Sequence, residues 1–105
     1  MNKGVQGSRG TQTTAKLAKA FDYFGRRWAL RVIWELRSKA LKFRALQAAC
    51  GDISPSVLQA RIHQLRNLEV IEQIPGLGYR LTASGEQLFR VLVPISEWTE
   101  SHLKQ

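Results

Sequence analysis

Apolar residues recur along this chain in two patterns. From Leu17 to Leu36 they return every three or four positions, first as Leu17, Ala20, Phe21 and Phe24, then as Trp28, Val32, Ile33 and Leu36. That spacing predicts two helices, each burying one face. Thr13 or Thr14 can cap the first, Gly25 breaks it, and the second is predicted to start near Arg26. Ser38-Lys39-Ala40 forms a link, and Leu41-Lys42 suits a very short strand. A third helical segment, Phe43 to Cys50, stops at Gly51. Asp52 and Ile53 turn the corner, and Ser54-Pro55 opens a fourth helix carrying Val57, Leu58, Ile62 and Leu65. Two strands, about 71–74 and 79–81, fold back around Pro75-Gly76-Leu77-Gly78. Thr82 can cap a last helix running to about His102. The predicted fold is mainly α with a small β-hairpin.

Two short helices joined by a Gly-containing turn, then a hairpin, have the order of a helix-turn-helix with a wing. In that unit the second helix lies in the DNA major groove. The expected organisation is a flexible basic arm over residues 1–13 and a winged-helix domain over 14–105. Within it the helix-turn-helix covers about 43–67, the wing about 71–82 and a C-terminal dimerisation helix about 83–102. Charge supports this reading. Sixteen Lys and Arg against eight Asp and Glu give +8 in 105 residues, and residues 1–44 alone carry eleven basic and two acidic side chains. Such a field attracts polyanions, although by itself it would equally well keep a protein soluble.

With Leu58, Ile62 and Leu65 turned inward, the outward face of the fourth helix holds Ser56, Gln59, Ala60, His63, Gln64 and Asn67. Ser54 caps it, leaving free amides for a phosphate. Gln59 and Gln64 can each donate and accept, as adenine requires, and Ala60 can touch a thymine methyl. His63 can donate to guanine or phosphate, though an ordinary exposed histidine fits as well. Arg61 flanks this face and would reach phosphate or brace the domain. Lys39, Lys42 and Arg44 are expected on the sugar–phosphate backbone, with Arg26, Arg27 and Arg31 as further candidates. Gly76, Leu77 and Gly78 form the wing tip.

The last helix is unusually apolar. Leu88, Leu92, Ile95 and Trp98 line one face with Val91, and Phe89 and Val93 lie to its side. So wide a face suggests burial against a second copy, with Leu17 and Phe21 of the first helix joining the interface. Pro94 should kink or divide the helix. Core and dimer packing account for Trp28, Trp34 and Trp98; an aromatic effector pocket between helices is the alternative use.

Little points to catalysis. One Cys and two His cannot supply a usual structural zinc site, and the Pro75–Gly78 turn lacks the Lys and Ser/Thr of a phosphate loop. No Ser stands in a recognisable nucleophile motif. No cofactor is implied. Cys50, inward at a helix C-terminus, reads as a buried, unreactive thiol. A single cysteine, a polar Gly-rich start and no apolar run near ~20 residues predict a cytoplasmic protein with no membrane partner, nucleoid-associated when bound to DNA.

From Lys16 onward the chain resembles the HxlR-type winged-helix transcription regulators, relatives in architecture of the MarR group. The residues carrying the likeness are Phe24-Gly25, Arg27-Trp28, Glu35-Leu36, Phe43 with Leu46, Ile53-Ser54-Pro55, Val57-Leu58, Arg61-Ile62 and Leu65. Val70-Ile71-Glu72, Tyr79-Arg80-Leu81-Thr82, Gly85 and Trp98 complete the set. The resemblance implies a homodimeric bacterial or archaeal regulator of double-stranded DNA. Its terminal helices would form the dimer; a partner outside that resemblance is an unidentified small-molecule effector, for which a pocket between helices is the alternative use of the tryptophans. The chain departs from that pattern in places. The cysteine often found before the family's first helix is absent. Ser56 replaces a usual Lys or Arg, and Asn67-Leu68-Glu69 replaces a stretch that usually contains Gly. Asn67 is expected to supply the left-handed turn there. The competing readings are a winged-helix protein-interaction module and a non-specific nucleic-acid binder.

Overall fold

The computed structural model describes residues 12–104. The arm expected over residues 1–13 therefore lies outside the described residues as far as residue 11. The elements run α1 (Ala15–Phe24), α2 (Ala29–Glu35), α3 (Phe43–Ala49), α4 (Pro55–Asn67), β1 (Ile71–Ile74), β2 (Gly78–Leu81) and α5 (Ala83–His102). Three hydroxyls start helices where the sequence placed them. Thr14 Oγ1 accepts from the Leu17 amide at 3.0 Å, Ser54 Oγ from Val57 at 3.3 Å and Thr82 Oγ1 from Gly85 at 3.1 Å. Each satisfies an amide that the helix cannot, a contribution of about 1 kcal/mol.

One core fills the space between α2, α3, α4, the hairpin and the first half of α5. Val32, Ile33, Leu46, Leu58 and Leu65 are sealed at its centre, with Ile62, Tyr79, Leu81 and Leu92 around them. The strands pair antiparallel, with Ile71 opposite Leu81 and Ile74 opposite Gly78. Pro75 and Gly76 occupy the middle of the turn, the Leu77 amide donates to the Ile74 carbonyl at 3.0 Å, and Gly76 has φ +81°. This is a type II turn, whose third position calls for glycine. Behind the hairpin, Leu41 and Tyr79 exchange backbone hydrogen bonds of 2.9 and 2.8 Å, so the expected short strand at Leu41-Lys42 is a single bridge. The first turn of α5 sits against the entry to β1: a Cβ on Gly85 would lie 2.0 Å from the Val70 carbonyl oxygen.

Four expectations need correction. Helix α1 has no buried residue, so its Leu17–Phe21 face is not covered within the chain. Helix α2 begins at Ala29 rather than near Arg26, because Trp28 takes φ +80° and cannot continue a right-handed helix back into α1. The left-handed residue after α4 is Glu69 (φ +62°), not Asn67, which stays helical. The Glu69 amide donates to the Arg66 carbonyl at 2.9 Å and Val70 to Leu65 at 3.1 Å, the paired bonds of a Schellman ending. Thr82 Oγ1 fastens that corner by donating to the Glu69 carbonyl at 2.6 Å. Finally, α5 is not divided at Pro94. The proline forfeits one amide donor, and the carbonyl it leaves belongs to the exposed Arg90, where water can reach it.

Candidate nucleic-acid interface

Helix α4 separates cleanly by side. Leu58, Ile62 and Leu65 are buried, while Ser56, Gln59, Ala60, His63 and Asn67 are exposed and Gln64 is half-buried. Asn67 Nδ2 lies 3.2 Å from His63 Nε2. The two side chains thus share a hydrogen bond one turn apart on the exposed face of the helix. Ser56 Oγ stands 3.5 Å from the capping Ser54 Oγ, so the start of α4 shows two hydroxyls and no charged group.

The neighbouring cations supply the charge that the strip Ser56, Gln59, Ala60 and His63 lacks. Lys39, Lys42 and Arg44 are exposed along the link into α3 and its first turn. Among the described residues none of the three enters an ion pair, since the bridges are Arg31–Glu35, Arg37–Glu35 and Arg80–Glu72. Arg31 is not an open phosphate contact. It bonds Glu35 at 2.7 Å and the Ala49 carbonyl at 3.1 Å, bracing α2 to α3. Of the two roles expected for Arg61, reaching phosphate or bracing the domain, its contacts are those of a brace. Its Nε donates to the Arg27 carbonyl at 2.7 Å and its Nη1 to Gln64 Oε1 at 3.2 Å. The Arg27 guanidinium lies 5.2 Å over the Trp28 ring, leaving Arg26 as the exposed arginine of that turn without such a partner. At the wing tip Gly76 and Leu77 are exposed. Gly78 is half-buried because its α-carbon presses on the Leu41 backbone.

Helix α5 carries two apolar stripes rather than one. Leu92 is buried, and Leu88 and Phe89 are half-buried against the core, with the Phe89 ring 5.3 Å from Trp34. These three are therefore used largely within the chain, which corrects their assignment to a dimer surface; Val93 is half-buried as well. The second stripe is Val91, Ile95 and Trp98, spaced four and three apart and exposed, together with Leu17 and Phe21 of α1. Between the stripes, an open groove of about 450 Å³ is lined by Leu30, Trp34, Leu92, Ile95 and Thr99. Cys50 is sealed in the core, and burial pushes its thiol pKa up, opposed by Arg31 and reinforced by Glu35. Among the described residues no cluster of His, Cys, Asp or Glu could hold a metal ion, and no helix is long and apolar enough to cross a membrane.

Residues 23–105 match the model of the HxlR-like helix-turn-helix family. The chain is 29% identical over 89 residues to YvaP of Bacillus subtilis, an uncharacterized HTH-type transcriptional regulator, covering 79% of this chain and 82% of that protein. Its backbone is similar to quinone-bound YodB from B. subtilis, with a TM-score of 0.76 and 26% identity, covering 84% of this chain and 98% of that one. A possible HxlR family transcriptional factor from Thermoplasma volcanium shares the fold, with a TM-score of 0.73 at 22% identity over 78% of this chain and 79% of that one. Relatives of this kind are winged-helix regulators, which implies DNA binding, and an exposed polar helix beside unpaired cations is what such binding needs. The chain belongs to the HxlR-like helix-turn-helix family of transcriptional regulators.

Proposed function

We propose that the protein is a homodimer that binds a two-fold symmetric site on double-stranded DNA, placing α4 of each subunit in successive major grooves. The observation that carries this reading is the exposed strip Ser56, Gln59, Ala60 and His63, flanked by the unpaired Lys39, Lys42 and Arg44. Gln59 reads a base edge and Ala60 meets a thymine methyl. The free amides behind the Ser54 cap and the three cations grip phosphates, and Gly76 and Leu77 of the wing tip approach the flanking backbone. The second copy covers Leu17, Phe21, Ile95 and Trp98, apolar groups that one chain leaves in water. Regulation is by occupancy: the bound dimer blocks or assists polymerase without covalent chemistry, in the cytoplasm.

Selection of duplexes from a random library tests the proposal. The expected product is a palindrome with half-sites about one helical turn apart. Its affinity should fall with salt at a log–log slope of about −0.9 per neutralised phosphate. A specific observation favours a second reading, a protein-interaction module: the outer face of α4 carries no Lys, Glu or Asp. Absence of any salt-sensitive duplex binding would favour that module. Equal affinity for selected and bulk nucleic acid would point instead to a non-specific binder. The quinone of the YodB complex also suggests a quinone-like effector here, for which the α2–α5 groove offers apolar walls. Titrating a quinone into the operator complex and following release tests that.

A further inference from the structure

Arg61 sits on α4, thirty-four positions after the residue it holds. Its guanidinium is engaged at two points: Nε donates to the Arg27 carbonyl at 2.7 Å, and Nη1 donates to Gln64 Oε1 at 3.2 Å. The anchor point is unusual. The next residue, Trp28, holds a bulky side chain at φ +80°, a conformation that persists only where surrounding contacts determine it. Among the described residues no other side-chain hydrogen bond joins α4 to the turn between α1 and α2. Arginine has donors only, so the Gln64 carboxamide must turn its oxygen toward Arg61. Its NH₂ is then the end of the carboxamide that Arg61 leaves unengaged.

On the DNA-binding reading above, we propose that Arg61 is a positioning residue that sets base preference. Anchored to the Arg27 carbonyl, it holds Gln64 by the oxygen and makes it a hydrogen-bond donor to the duplex. That favours an edge that only accepts, the N7 and O6 of guanine or the O4 of thymine. It disfavours adenine, whose N6 amino group needs the carboxamide oxygen too. Gln64 thus differs from the unrestrained Gln59, although the two look alike in sequence. Arg61 itself touches neither base nor phosphate.

The test compares wild type with Arg61→Met, Arg61→Lys and Gln64→Ala, each checked for cooperative melting. The readouts are library selection and affinity across a salt series. One operator position should favour guanine or thymine in wild type and lose about tenfold discrimination in Gln64→Ala. Arg61→Met should shift that same position toward adenine and leave the salt slope unchanged. Arg61→Lys keeps the charge but lacks the planar fork, so it should behave like Arg61→Met there. A slope shallower by about 0.9 per subunit in Arg61→Met, with base preference intact, would make Arg61 a phosphate contact and overturn the proposal. Uniform weakening for all sequences, or a wild-type preference for adenine at the Gln64 position, would overturn it as well. If wild type selects no site, the DNA-binding reading fails rather than the lock. NMR of the free protein then decides: Arg61→Met should move the Gln64 carboxamide signals and Gln64→Ala the Arg61 Nε–H signal. Silence in both would sink the proposal.

Discussion

The helix-turn-helix and the terminal helices handle their apolar residues in opposite ways. From Val32 to Leu81 nearly every large aliphatic side chain finds cover within the chain, and Leu46 and Leu58 have no exposed surface. In α1 and the second half of α5 the reverse holds: Leu17 is 43% exposed, Phe21 61%, Ile95 52% and Trp98 52%. Both regions show the same helical spacing in sequence. The difference is that the first region surrounds one shared core, whereas α1 packs mainly on α2 and the second half of α5 extends past that core. The helix-turn-helix buries its apolar residues within one chain, and the terminal helices leave theirs in water.

Substitutions can break or sharpen that contrast. The largest effect is expected where α5 is most committed to the core. Gly85→Ala puts a methyl 2.0 Å from the Val70 carbonyl oxygen, and a loss of about 3 kcal/mol or more is expected in chemical denaturation. Two charges on the same helix should then separate its two stripes. Leu92→Glu should prevent folding. Ile95→Glu should leave a cooperatively melting monomer by light scattering, with operator affinity lower by about a hundredfold through lost bivalency. If both fold or both fail, the division of α5 is wrong. Next come the proposed DNA contacts. Lys42→Ala should weaken all sequences alike and reduce the salt slope by about 0.9 per subunit. Gln59→Ala should alter one operator position by about 1–3 kcal/mol. The smallest effect concerns the core thiol. Burial raises the folded pKa of Cys50, so the folded state holds that proton more tightly. Stability is then flat below the ordinary thiol pKa and declines as pH rises through it toward the folded value. Urea unfolding at neutral and alkaline pH should show this decline, and Cys50→Ala should remove it.

Features set by neighbouring residues were legible in the sequence. The hydroxyl caps Thr14, Ser54 and Thr82, the stop at Gly51 and the Pro75-Gly76 turn each depend on a few adjacent positions, and all are present. Features that depend on distant partners were not. Nothing near Trp28 announces a left-handed backbone in a bulky residue. Glu69 could not be distinguished from Asn67 because its corner is held by Thr82, thirteen residues on. Helical spacing showed that α5 is apolar over a wide arc, but the docking angle on α2 decides which part of that arc the chain keeps. At the candidate interface, exposure of the α4 face followed from periodicity. The tethering of Arg61 and Arg31 required knowing which carbonyls lie within reach.

The paired hydrogen bonds between Leu41 and Tyr79, with Gly78 pressed on the Leu41 backbone, carry one more consequence. They rivet the hairpin to the stretch that leads into α3. The base of the hairpin is therefore set against the start of α3, like one jaw of a calliper clamped to its beam. A jaw that cannot swing does not adapt to what it straddles. On the DNA-binding reading proposed above, the duplex must come with a matching width, or bend to acquire it.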